Sequence, residues 1–162
     1  MGVRVRVVKD RLPKYRQTLE ALSRRSVRVG ILGSKAEERH KDEAGEPTPI
    51  TVAELAVIHE FGTATIPARS FIRAPVDSIR PLIREQLVKY AHRSVEGGAA
   101  PEKAMEFVGA WVASLLANGI RKGLPVAPLA EATKRRRRGK VAIPLFDTGQ
   151  LASSISYEVV ER

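Results

Sequence analysis

The stretch that most constrains the fold runs from Thr51 to Pro75, TVAELAVIHEFGTATIPARSFIRAP. Thr51-Val-Ala-Glu54 has the spacing of a capping box, in which the threonine hydroxyl accepts from the third helical amide and the glutamate reaches back. A short helix over Val52–Glu60 follows, with Val52, Leu55, Ala56 and Ile58 as a compact apolar surface. Gly62 stands where a helix end commonly needs a left-handed residue. Ile66 precedes proline and is pushed out of the α region, so the chain from Ile66 to Arg69 is expected to be extended. The segment reads as a rigid elbow between two helices, suited to positioning a neighbour.

The flanking sequence predicts alternating element types. Val3, Val5 and Val7 alternate with Arg4 and Arg6, the period of a half-buried strand over Val3–Val8. Pro13 fits a first helical turn, and Tyr15, Leu19 and Leu22 give that helix an apolar face to about Ser23. A second strand carries Val27, Val29 and Ile31 and ends at Gly33. Ser34–Pro49 has no periodic apolar face, contains Gly45 and two prolines, and reads as a solvated loop, or one that orders against a neighbouring subunit.

Beyond the elbow, Val76, Ile79, Ile83, Leu87, Tyr90 and Ser94 form one helical stripe. Pro81 implies either a start capped by Ser78 or a kink near 77–81. After Gly97-Gly98, Pro101 opens a helix to about Arg121, with Ala104, Val108, Trp111, Val112, Leu115 and Leu116 on its apolar side; Gly123 stops it. Residues 124–140 form a second long connection. Asp147-Thr-Gly-Gln150 repeats a cap-and-N3 pattern, and Ile155, Tyr157 and Val159 alternate in a closing strand. Strands near both ends with helices between predict an α+β fold: a mostly antiparallel sheet with helices on one face and long loops at about 34–50 and 124–140.

At 162 residues, the chain is expected to be a single domain. It contains no cysteine, which removes disulfides and thiolate metal sites. The N-terminus lacks the apolar region of a signal peptide, and no run approaches the ~20 apolar residues of a membrane span. The net charge is +10. Six of the 28 lysines and arginines fall in one run, Lys134, Arg135, Arg136, Arg137, Arg138 and Lys140; the other 22 face 18 acidic residues. That run is a candidate contact for DNA phosphates, for an acidic partner surface, or for solvent alone. It has no interleaved aromatics, so stacking on single-stranded bases is not indicated.

Catalytic signatures are largely missing. No phosphate loop or dinucleotide fingerprint is present, and His59-Glu60 is not followed by the second histidine of a zinc-protease helix. No Gly-x-Ser-x-Gly elbow accompanies the serines. The chain is expected not to be an enzyme, with no metal and no cofactor. Arg69 and Arg73 share a face if their segment is helical, a geometry that clamps a neighbour's carboxylate, with an ordinary surface pair as the alternative. Phe61, Phe71 and Ile72 are anchors for a core or an interface, the core being favoured for a chain so poor in aromatics.

Three blocks carry a resemblance: Val52–Gly62, then Ile66–Arg73, then Pro144–Leu151 with Ser154-Ile-Ser-Tyr157. In that order they resemble tailed-bacteriophage virion morphogenesis proteins, the neck or tail-completion family that joins head to tail, over roughly residues 27–160. The resemblance implies a structural virion protein at the head–tail junction, assembled in the host bacterial cytoplasm. It implies a homo-oligomeric ring, a hexamer favoured over a dodecamer, through which DNA passes. Its implied partners are a head-completion or connector protein and the tail tube or tail terminator, with non-specific contact to packaged DNA and no membrane. A tail terminator or other minor tail protein is the alternative, and a nucleic-acid-binding protein a remoter one. The family motif carries no catalytic residues. Interface expectations within the elbow therefore rest on the residues themselves: His59, Glu60, Phe61, Gly62, Pro67, Arg69, Phe71 and Arg73.

Overall fold

A computed structural model describes residues 10–97, 100–137 and 143–162. The strand expected over Val3–Val8 lies outside these residues, as do Arg138 and Lys140. The elements run α1 (Leu12–Ser23), β1 (Arg25–Ile31), α2 (Ser34–Glu37), β2 (Arg39–Lys41), β3 (Pro47–Thr51) and α3 (Val52–Phe61). They continue with α4 (Arg73–Val95), α5 (Pro101–Lys122), α6 (Glu131–Arg136), α7 (Gln150–Ser154) and β4 (Ile155–Glu161). The fold is α+β, with two small antiparallel sheets among the described residues, β1–β4 and β2–β3.

The first sheet closes the chain on itself. Val27 stands opposite Val159, Val29 opposite Tyr157 and Ile31 opposite Ile155, so both alternating patterns meet in register. Helix α5 crosses this sheet, and Gly109 is the point of closest approach. A Cβ there would lie 2.4 Å from Tyr157 Cδ2 and 2.9 Å from Val27 Cγ1. Glycine at this position removes the atom that would hold helix and sheet apart.

The core gathers around α5 through Val108, Val112, Leu116 and Ile120, joined by Val52 from α3, Leu151 from α7 and Phe71 from the elbow. Phe71 and Val52 are completely buried, and removing a phenylalanine of that size from water contributes up to about 3 kcal/mol. The stripe expected on α4 is the inward one, from Val76 to Ser94. No helix among the described residues is long and apolar enough to cross a membrane.

Several local expectations are corrected. Residues 34–50 are not a loop: they form α2 and the β2–β3 hairpin. The hairpin turn is organised by Asp42, whose Oδ1 accepts from the amides of Ala44 (2.9 Å) and Glu46 (3.0 Å), with Gly45 at φ 87°. β2 is further held by a side chain. Gln150 donates through Nε2 to the Arg39 carbonyl (3.0 Å) and accepts at Oε1 from the Lys41 amide (2.8 Å). The second connection, 124–140, contains α6.

Helix α4 starts at Arg73, not at a Ser78 cap, and runs through Pro81. The Ser78 hydroxyl donates instead to the Pro75 carbonyl at 2.7 Å. Pro81 has no amide to offer the Asp77 carbonyl, and both residues are exposed, so water can serve it. On α1 it is Thr18 that is buried, whereas Leu19 is turned to solvent. On α5, Leu115 likewise lies largely outside the core. Asp147 does not cap α7: its N-cap is Gly149 in the left-handed region, without a side-chain cap bond.

Candidate functional site: the elbow and its buried ionic knot

The capping box forms as its spacing predicts. Thr51 Oγ1 accepts from the Glu54 amide at 3.2 Å, and Glu54 accepts from the Thr51 amide at 2.7 Å. Helix α3 therefore begins at a defined residue, and one face, Val52, Ala56 and Glu60, turns inward. Gly62 ends it at φ 77°. A Cβ on Gly62 would come within 2.8 Å of both the Ile66 carbonyl oxygen and the Ala68 amide nitrogen, so the chain doubles back tightly here.

The inward-facing Glu60 is the hub. Its Oε1 accepts from the Ser70 hydroxyl (2.7 Å), the Arg73 amide (3.1 Å) and Arg73 Nε (3.0 Å). Its Oε2 accepts from the amides of Phe71 (2.9 Å) and Ile72 (3.1 Å). These amides are the orphan donors at the start of α4, where the helix dipole also favours an anion. Ser70 Oγ extends the arrangement by accepting from the Ala74 amide at 3.0 Å. A carboxylate on one helix thus caps the next. Burial raises the pKa of Glu60, but the hydrogen bonds from Ser70, Ile72 and Arg73 outweigh it and hold the group below its ordinary value.

Arg69 is also turned inward. It is buried, donating through Nε to the Ala127 carbonyl and through Nη2 to the Pro128 carbonyl, both at 2.8 Å. Its amide donates to the His59 carbonyl at 2.6 Å. Arg69 therefore ties the elbow to the segment after α5. The expectation that Arg69 and Arg73 jointly clamp a neighbour's carboxylate is corrected: Arg69 holds backbone carbonyls and Arg73 holds Glu60. Phe71 lies in the core. Of the eight residues singled out on the elbow, Glu60, Arg69 and Phe71 are committed to internal contacts.

The outward rim is different. Phe61 is 59% exposed, with the Arg73 guanidinium 4.4 Å from its ring centroid, a cation–π contact. Val57, one turn earlier, and Pro67 are exposed as well. Val57 and Phe61 border a shallow apolar cleft of about 190 Å³, floored by Ile31, Ala56 and Ile72.

The basic run divides. Lys134 pairs with Glu131 at 2.7 Å and Arg135 is exposed. Arg137 is buried, its Nη2 2.8 Å from Asp147 Oδ1 and its Nη1 donating to the Phe146 carbonyl at 3.1 Å. It fastens the segment leading into α7, so it cannot serve as a surface contact for DNA or an acidic partner. Spacing did not reveal this partnership, because Asp147 reads equally well as a helix cap.

His59 is partly buried, and its Nδ1 lies out of solvent with no hydrogen-bond partner. Burial, then the charges of Arg69 and His40, push its pKa down to about 4, so the ring is neutral at pH 7. Among the described residues, no group of three or more His, Cys, Asp or Glu is placed to hold a metal ion. No protein-family model matches the chain, and no curated protein or solved structure matches it either.

Proposed function

We propose that this chain is a structural virion protein of a tailed phage, forming a ring at the head–tail junction through which DNA passes. The observation that carries the reading is the exposed Val57–Phe61 rim beside an apolar cleft, set on an elbow braced from within by Glu60. A rigid projection bordered by an apolar groove suits the head-to-tail contacts of a ring, where one surface meets a different surface of the next copy. The resemblance of the elbow and of the Pro144–Tyr157 block to the neck and tail-completion family supports the same reading. A hexamer is favoured, with connector and tail-tube or terminator proteins as axial partners. Negative-stain imaging of the purified protein with and without those partners tests it, and rings are expected. Heads joining normally to tails in particles lacking this protein would overturn it.

A further inference from the structure

A cavity of about 200 Å³ lies behind the elbow, lined among others by His40, His59, Arg69, Arg137, Asp147 and Gln150. Of the lining side chains, His59 has its Nδ1 shut off from solvent without a hydrogen-bond partner, whereas Arg137 Nε faces the Glu43 carboxylate at 3.9 Å. Buried polar atoms nearly always find a partner, and one that does not calls for an explanation, a bound water or ion among them.

Charge gives the orphan atom a direction. Arg137 is balanced by two carboxylates, Asp147 at 2.8 Å from Nη2 and Glu43 at 3.9 Å from Nε, so the Asp147 carboxylate in the lining is already matched. Arg69 is 6% exposed, and among the described residues its guanidinium meets two carbonyls and no carboxylate. A buried cation without a counter-ion is costly. The imbalance reaches His59, whose protonation is opposed by burial and then by Arg69 and His40.

We propose that this cavity is a binding site for a small oxyanion, inorganic phosphate being the natural probe. The ion would supply the counter-charge that Arg69 lacks and accept from the imidazole N–H of His59. The volume suffices for such an ion with residual water, since one water occupies about 30 Å³. This inference does not depend on the assembly role proposed above.

The test is a phosphate titration of the full chain at constant ionic strength, with chloride as the control, following the His59 ring resonances by NMR. Saturable shifts specific to phosphate are expected, and the His59 pKa should rise from about 4 as the site fills, because an anion favours the imidazolium. Arg69→Gln should weaken binding about tenfold or more, the value of one charge-assisted hydrogen bond. Should that variant fail to fold, His59→Phe, followed by calorimetry, should show a similar loss. Unchanged His59 resonances in folded wild-type protein would overturn the proposal. So would wild-type affinity in whichever variant folds, or equal responses to phosphate and chloride.

Discussion

Arg73 meets Glu60 twice, through its backbone amide at 3.1 Å and through Nε at 3.0 Å, so one carboxylate oxygen anchors both the start of α4 and the cation beside Phe61. Glu60→Gln keeps the shape but replaces one acceptor oxygen with a donor facing donors. The expected loss is roughly 3 kcal/mol in urea unfolding. Arg73→Ala should cost about 1 kcal/mol, because that side chain is largely in water. Equal effects of the two substitutions would contradict the hub role of Glu60.

Gly109→Ala sets two effects against each other. In a helix interior the substitution ordinarily gains about 1 kcal/mol. Here the new methyl would stand 2.4 Å from Tyr157 Cδ2, and overpacking of this kind costs about 1–3 kcal/mol. The cost should prevail, giving a lower urea midpoint than wild type. A higher midpoint would mean that helix and sheet separate with little penalty.

His59 makes stability depend on pH. Its pKa is near 4 in the fold and near 6.5 unfolded, so the unfolded chain takes up the proton first as pH falls. Stability is complete above pH 6.5 and declines down to about pH 4, below which this contribution is constant. Partial solvent access reduces the effect to on the order of 2 kcal/mol. Glu60 adds an acid-side loss with its own sign: its lowered pKa stabilises the fold above the unfolded value and is lost as pH falls through the folded one. His59→Phe should flatten urea midpoints between pH 6.5 and 4 while leaving the decline below that range.

Thr51 and Asp147 occupy similar sequence patterns but should respond differently to substitution. Thr51→Ala removes a formed cap and should cost about 1 kcal/mol. Asparagine caps helices as well as aspartate does, so Asp147→Asn would be neutral if Asp147 were a cap. As the partner of buried Arg137, its neutralisation should instead cost about 2 kcal/mol. Thermal or urea unfolding of both variants separates the two roles.

Phe61→Ser tests the rim. An exposed ring contributes little to folding, so unfolding should shift by no more than about 0.5 kcal/mol. Ring formation in the presence of the assembly partners should fall sharply by sedimentation velocity. A large loss of stability, or intact rings, would remove Phe61 from the interface.

What could be read from the sequence was whatever is encoded locally. The Thr51–Glu54 box, the Gly62 stop, the α4 stripe and the β1 and β4 alternations all depend on neighbours a few residues away. The hairpin over 39–51 was hidden because β2 is short and is held by Gln150, more than a hundred residues later in the chain. The inward turn of Arg69 and Arg137 was hidden for a related reason. Arginine normally implies solvent, and here its partners are backbone carbonyls, those of 127 and 128 for Arg69 and of 143 and 146 for Arg137, with Asp147 and Glu43 beside Arg137. Leu19 misled in the opposite direction, since periodicity alone cannot tell which of two adjacent faces, that of Thr18 or that of Leu19, meets α4 and α5.

Because Glu60 grips the first turn of α4 from α3, the two helices are expected to turn as one piece. Helix α4 is 23 residues long, so at a rise of 1.5 Å per residue its far end lies roughly 35 Å from the knot. A push on Phe61 would therefore be felt along the packed face of α4, as far as buried Ser94 and Val95. The elbow would then be braced by the whole length of α4 against α5, and load on the rim would be shared with the core.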